Sequence, residues 1–153
     1  MWITPTLTDL KRKFTTQVLT VVENYTAQTG STSDDLLTQE LAAAINEVRG
    51  YVSAFEVNVL GESGTIPDEL TNPALVLARR NVYNNVPALN ALFNAGMQKE
   101  LETVTTQLRD VAKGAFRVVP PTVAADLQPS GAGFATVTPA TNANNVEKLS
   151  GLL

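Results

Sequence analysis

Apolar residues recur along most of the chain at three- and four-residue intervals, the spacing that lines one side of an α-helix. The strongest run is Ser33 to Phe55, SDDLLTQELAAAINEVRGYVSAF, in which Leu37, Leu41, Ala44, Ile45, Val48, Val52 and Phe55 form a single stripe. Ser33 is placed to cap it, and Asp34 and Asp35 face the positive end of its dipole. This is the predicted helix on which the other segments pack. Gly50 within it predicts either a close helix contact or a slight bend, since glycine in a helix costs up to about 1 kcal/mol relative to alanine.

The same spacing predicts three further helices. The first runs from Thr6 to about Ala27 as one piece, with Thr6 and Asp9 as a capping box and Leu7, Leu10, Phe14, Val18, Val21, Val22 and Tyr25 on one side. It follows an extended lead-in, MWITP, and stops at Gly30. A third helix starts with Asn72 capping Pro73, buries Leu75, Ala78, Val82 and Tyr83, and is interrupted at Val86-Pro87. The fourth covers residues 87–113 and carries Met97, Leu101, Val104, Leu108 and Val111 at heptad-like intervals. That seam suits either a core-facing stripe or self-association. Gly114 provides its stop.

Beyond Arg117 the pattern changes. Residues 120–145 are rich in Pro, Gly, Thr, Ser, Ala and Asn, carry one charge, Asp126, and cannot build a core. Phe134 to Thr138 suits a short strand, while Val146, Leu149, Leu152 and Leu153 make the terminus apolar. The expected organisation is an all-α bundle of four helices over residues 1–117, with an extended C-terminal arm over 118–153 that has room for one short strand. The arm's candidate partner-binding residues are Phe134, Val137, Val146, Leu149, Leu152 and Leu153, ordering on a partner. A floppy tail is the plainer reading. Trp2 is a possible N-terminal anchor.

Composition narrows the chemistry. The 153 residues include no cysteine and no histidine, so thiolate nucleophiles, disulfides, Cys/His zinc clusters and Ser-His-Asp machinery are excluded. No catalytic, cofactor-binding or metal-binding residue is predicted, and no enzyme. The acidic pairs Asp34-Asp35 and Asp68-Glu69 are explained by first-turn dipoles, and Gly131-Ala132-Gly133 lacks the residues of a phosphate loop. A net charge of −4 opposes general nucleic-acid binding and favours protein partners. The basic trio Lys11-Arg12-Lys13 either meets an acidic partner or a nucleic-acid backbone, or is simply solvated. With no apolar run near the roughly 18–20 residues that cross a bilayer, a soluble intracellular chain is expected.

Several of these stretches resemble the head-tail adaptor (head completion or neck) proteins of Mu-like and related tailed phages. Thr8-Asp9-Leu10 through Phe14 is similar to the family's opening DL-x-x-x-F pattern. Asp34 to Ala54 resembles its core helix, with Ala44, Glu47, Gly50 and Tyr51 in corresponding places. Further matches are Ile66-Pro67 with Leu70, then Ala78 and Arg80, the closure Leu108 to Gly114, and Lys148-Leu149-Ser150-Gly151. The loop after the first helix departs from the family by being less acidic. The resemblance implies a structural virion protein, a connector that forms a homo-oligomeric ring, commonly a dodecamer, on the portal vertex. It would bind the portal protein through its arm, meet the next neck or tail component, and let genomic DNA pass without sequence-specific binding. Its implied location is the virion, and the host cytoplasm during assembly. The alternative is a small helical protein-binding or assembly-regulating module acting through helix 87–113.

Overall fold

The computed structural model describes residues 1–122. Among the described residues six α-helices and one two-stranded antiparallel sheet follow in order. Strand β1 is Trp2–Ile3, α1 Leu7–Lys11, α2 Thr16–Thr29, α3 Ser33–Ser53, β2 Ile66–Pro67, α4 Thr71–Asn85, α5 Pro87–Asn90 and α6 Ala95–Ala112. The chain is thus mostly α, as the periodicity predicts, with two of the four expected helices each divided in two.

Both divisions come from side-chain capping. The capping box at α1 is complete: the Asp9 amide donates to Thr6 Oγ1 and the Thr6 amide to Asp9 Oδ2, each at 3.2 Å. The chain turns after Arg12, and the Thr15 hydroxyl accepts from the Val18 amide at 3.4 Å to start α2. Asn94 does the same for α6, accepting from Met97 at 2.9 Å. Each restart satisfies first-turn amides that an uninterrupted helix would have bonded internally.

Elsewhere the boundaries shift by a residue or two. Thr32, rather than Ser33, caps α3 by accepting from the Asp35 amide, and α3 ends at Ser53, short of Phe55. A 3₁₀ turn, Asp68–Leu70, leads directly into α4. Asn72 therefore lies inside α4 rather than capping it, its Oδ1 accepting from Lys13 Nζ at 2.7 Å. Pro73 remains within the first turn, where its missing N–H leaves no bond unmade. Gly30 and Gly114 close α2 and α6 with positive φ, as predicted.

Helices α3 and α4 form the centre, flanked by α1, α2 and α6. The α3 stripe is buried from Leu37 through Val52, and α4 buries residues on nearly all sides of its first half, Pro73 to Arg79. The α6 seam points inward at Val104, Leu108 and Val111, with Leu101 half-buried against the core, so the seam is core-facing. Polar ties fix α4 to its neighbours. Arg80 pairs with Glu47 of α3 at 2.9 Å, Arg79 with Glu100 of α6 at 2.5 Å, and Asn85 donates to the buried Glu40 at 2.6 Å. Around Gly50 an added methyl meets nothing within 4 Å, so no helix contact requires the glycine.

Candidate functional site

The sheet was not anticipated from the sequence, and it organises one end of the body. Trp2 pairs with Pro67 and Ile3 with Ile66, and the Asp68 amide donates to the Met1 carbonyl at 2.9 Å. Proline is tolerated because the ribbon has only edge strands. This pairing holds the Trp2 side chain over the loop that joins α3 to β2.

Arg49 of α3 shapes that loop. Its guanidinium donates to three backbone carbonyls, Gly61 at 3.1 Å, Glu62 at 2.9 Å and Thr65 at 2.5 Å, and lies 5.9 Å from the Trp2 ring centroid. The planar fork supplies several donors at once, and the cation faces the negative face of the indole. Gly61 passes against that indole so closely that an added Cβ would be 2.6 Å from Trp2 Cε3. Only a residue without a side chain fits there.

On its other side Trp2 holds the segment that follows α6. Its Nε1–H donates to the Val119 carbonyl at 2.7 Å, while the Val119 amide donates to Glu69 Oε1 at 3.3 Å. Both backbone groups of Val119 are therefore tied down. Trp2, expected as a possible N-terminal anchor for a partner, is bonded here within its own chain, and Glu69, expected only as a first-turn dipole partner, holds the same residue. Sequence reasoning passed over Arg49, whose partners are carbonyls that leave no mark in the sequence.

Beside this clamp lies an open groove with about 490 Å³ of space. The segment after α3 lines it with Phe55, Val57 and Val59, and the segment after α6 with Gly114, Arg117, Val118 and Pro120. Gly114 is close-packed as well as left-handed, since a Cβ there would meet the Phe55 ring at 2.5 Å. Val57 and Val59 are 76% and 63% exposed, so they are not core residues that happen to reach the surface.

The remaining predicted features sort themselves plainly. Lys11 pairs with Asp34 at 2.7 Å and Lys13 bonds Asn72, while Arg12 stays mostly in solvent near Asp9. Two of the three basic residues thus tie α1 and the turn after it to α3 and α4. Thr6 hydrogen bonds hold the Asp9 carboxyl below its usual range, and burial raises the Tyr83 phenol. Among the described residues no group of three or more His, Cys, Asp or Glu is arranged to hold a metal, and no helix is long and apolar enough to cross a membrane. The arm residues Phe134, Val137, Val146, Leu149, Leu152 and Leu153, the glycines 131 and 133 and the strand expected over 134–138 lie outside the described residues.

Comparison with known families supplies what the geometry alone does not. The family model described as bacteriophage Mu, Gp36 matches residues 5–137. The chain belongs to this phage family. The match runs from the N-cap of α1 through the whole helical body and past Val119. Comparisons with curated proteins and with solved structures gave no match. Membership in the Gp36 family makes this a bacteriophage protein and suggests a structural or morphogenetic one.

Proposed function

We propose that this Gp36-family protein is a head-tail adaptor. It assembles as a ring on the portal vertex, commonly twelvefold, extends the DNA channel and joins the head to the next neck or tail component. The observation that carries the reading is the family match over residues 5–137. Two physical features support it. The chain is acidic, with a sequence pI near 4.8, which keeps passing DNA from adhering to a channel wall. The segment leaving the body is fixed at Val119 by Trp2 and Glu69, so a portal-binding arm would start from a defined point. In this reading the arm contacts the portal through Phe134, Val137, Val146, Leu149, Leu152 and Leu153.

The alternative of a module acting through helix 87–113 loses its basis, because Val104, Leu108 and Val111 face the core and Asn94 divides the segment. Electron microscopy of the protein mixed with its portal, or with tailless capsids, tests the adaptor. A ring of added density at the portal vertex is expected, and its absence at saturating protein refutes the reading. Removing residues 123–153 should leave the helical circular dichroism intact and abolish portal binding; a truncated chain that still binds would show that the arm is not the contact.

A further inference from the structure

Trp2, the chain's single tryptophan, touches three segments that are remote in sequence. Its backbone pairs with Pro67, its Nε1–H reaches the Val119 carbonyl, and its ring lies against Gly61. The side that carries Gly61 and Pro67 is fixed without Trp2, because Arg49 holds the carbonyls of Gly61, Glu62 and Thr65 and the Ile66 side chain is fully buried. The other two segments are not fixed in that way. Neither Met1–Ile3 nor Val118–Thr122 contains a fully buried residue, and an open cleft of about 230 Å³ is lined by Met1, Trp2, Gly61, Pro121 and Thr122.

Each of these segments meets the body at a stop that stands without it. Exposed Thr4 precedes the buried Pro5 and the complete Thr6–Asp9 capping box, so α1 keeps its start when Met1–Ile3 leave. Gly114 closes α6, and the Ala115 and Phe116 amides both donate to the Asp110 carbonyl, at 2.8 and 3.1 Å, so α6 keeps its end when Val118–Thr122 leave. The body can release both ends without losing a helix. A two-stranded ribbon is marginal in water by itself, and β1 is two residues long, so its pairing with β2 needs the hold that the indole supplies. Val119, 47% exposed, is held in turn by Trp2 and Glu69. Each segment supports the other.

We infer that Met1–Ile3 and Val118–Thr122 form one two-state latch, closed in this structure, which opens as a unit at Thr4 and Arg117 while the helices stay folded. Its consequence is a coupling between the two ends of the body. A partner that takes the Val119 amide and carbonyl into its own strand pairing competes with Glu69 and Trp2, and thereby releases β1 and its indole. By linkage, whatever captures the N-terminal strand frees the segment after α6 by the same factor. The latch does not depend on the adaptor reading, and its test needs no portal.

Three hydrogens of the full-length protein report on it in hydrogen exchange followed by nuclear magnetic resonance: the Trp2 indole N–H, the Val119 amide, and the Asp68 amide that bonds the Met1 carbonyl. A latch gives all three one protection factor after correction for intrinsic rates, below that of core amides such as Val48 and Leu77, with the same slight dependence on dilute denaturant. Glu69→Ala, which removes a partner of Val119 and none of Trp2, should lower all three by a common factor of about threefold to tenfold, and Glu69→Gln, which keeps an acceptor oxygen, should restore most of it. Three different protection factors in the native chain, or loss at Val119 with the Trp2 indole and Asp68 unchanged, would mean independent stitches and overturn the latch. Protection equal to that of the core would overturn it as well, since the ends would then part only when the whole body unfolds.

Discussion

The α3–α4 centre and the end built from residues 54–65 and 117–122 are ordered by different means. In the centre, many apolar side chains at helical spacing bury one another, and Glu40, Glu47, Arg79 and Arg80 add polar ties at the margins. At the end, backbone without regular structure is held by three side chains, Arg49, Trp2 and Glu69, each reaching a backbone carbonyl or amide. The lesson is that order in the centre is redundant, whereas order at the end rests on single residues. Loss of one core contact weakens the whole fold, while loss of one clamp residue should loosen one end.

The largest effect is expected from the centre. Leu37→Ala should lower unfolding free energy by about 2–5 kcal/mol, read by denaturant titration. A value below about 1 kcal/mol would mean that α3 is not packed as described. Arg49→Lys comes next, at about 1.5–3 kcal/mol, because a compact ammonium does not reproduce the spread of the two guanidinium nitrogens that reach the three carbonyls. Hydrogen exchange should rise at residues 61–66 and stay low in α4, and uniform acceleration would erase the distinction between the two regions.

Two glycines sharpen the comparison through opposite signs. Gly114→Ala should destabilise by about 1–2 kcal/mol from left-handed backbone alone, with the Phe55 ring displaced besides. Gly50→Ala, inside α3 with open space around it, should stabilise by about 0.5–1 kcal/mol. A thermal melt of each decides. The smallest effect concerns Asp9, whose carboxyl is held low by the Thr6 side chain first and the Thr6 amide second. Its stabilising effect is present above the ordinary carboxyl range and lost as pH falls through the lowered value. The advantage of the native chain over Asp9→Asn in melting temperature should therefore shrink below about pH 4.

What was legible in the sequence follows the same division. The α3 stripe, the Thr6–Asp9 box and the stops at Gly30 and Gly114 depend on local spacing and local chemistry, and all stand where predicted within a residue or two. The breaks at Thr15 and Asn94 were missed because apolar residues continue at four-residue steps across both, Leu10, Phe14, Val18 and Val22 in one case, Leu89, Phe93, Met97 and Leu101 in the other. Only the capping residues mark them. The clamp was illegible for a stronger reason. Trp2 and Val119 are 117 positions apart, and the groups that Arg49 and Trp2 bind are peptide carbonyls, which every residue has.

The double attachment of Val119 has a mechanical meaning. Because its amide and its carbonyl are gripped by Glu69 and Trp2, a pull on the chain beyond Thr122 reaches the body at the β1 strand and the 3₁₀ turn before α4, and not at the C-terminal end of α6. Tension would be shared between two widely separated parts of the sequence, one entering α4 and one stapled through Arg49 to α3. The central pair of helices would take the strain along their own buried contacts, and α6 would be spared unwinding.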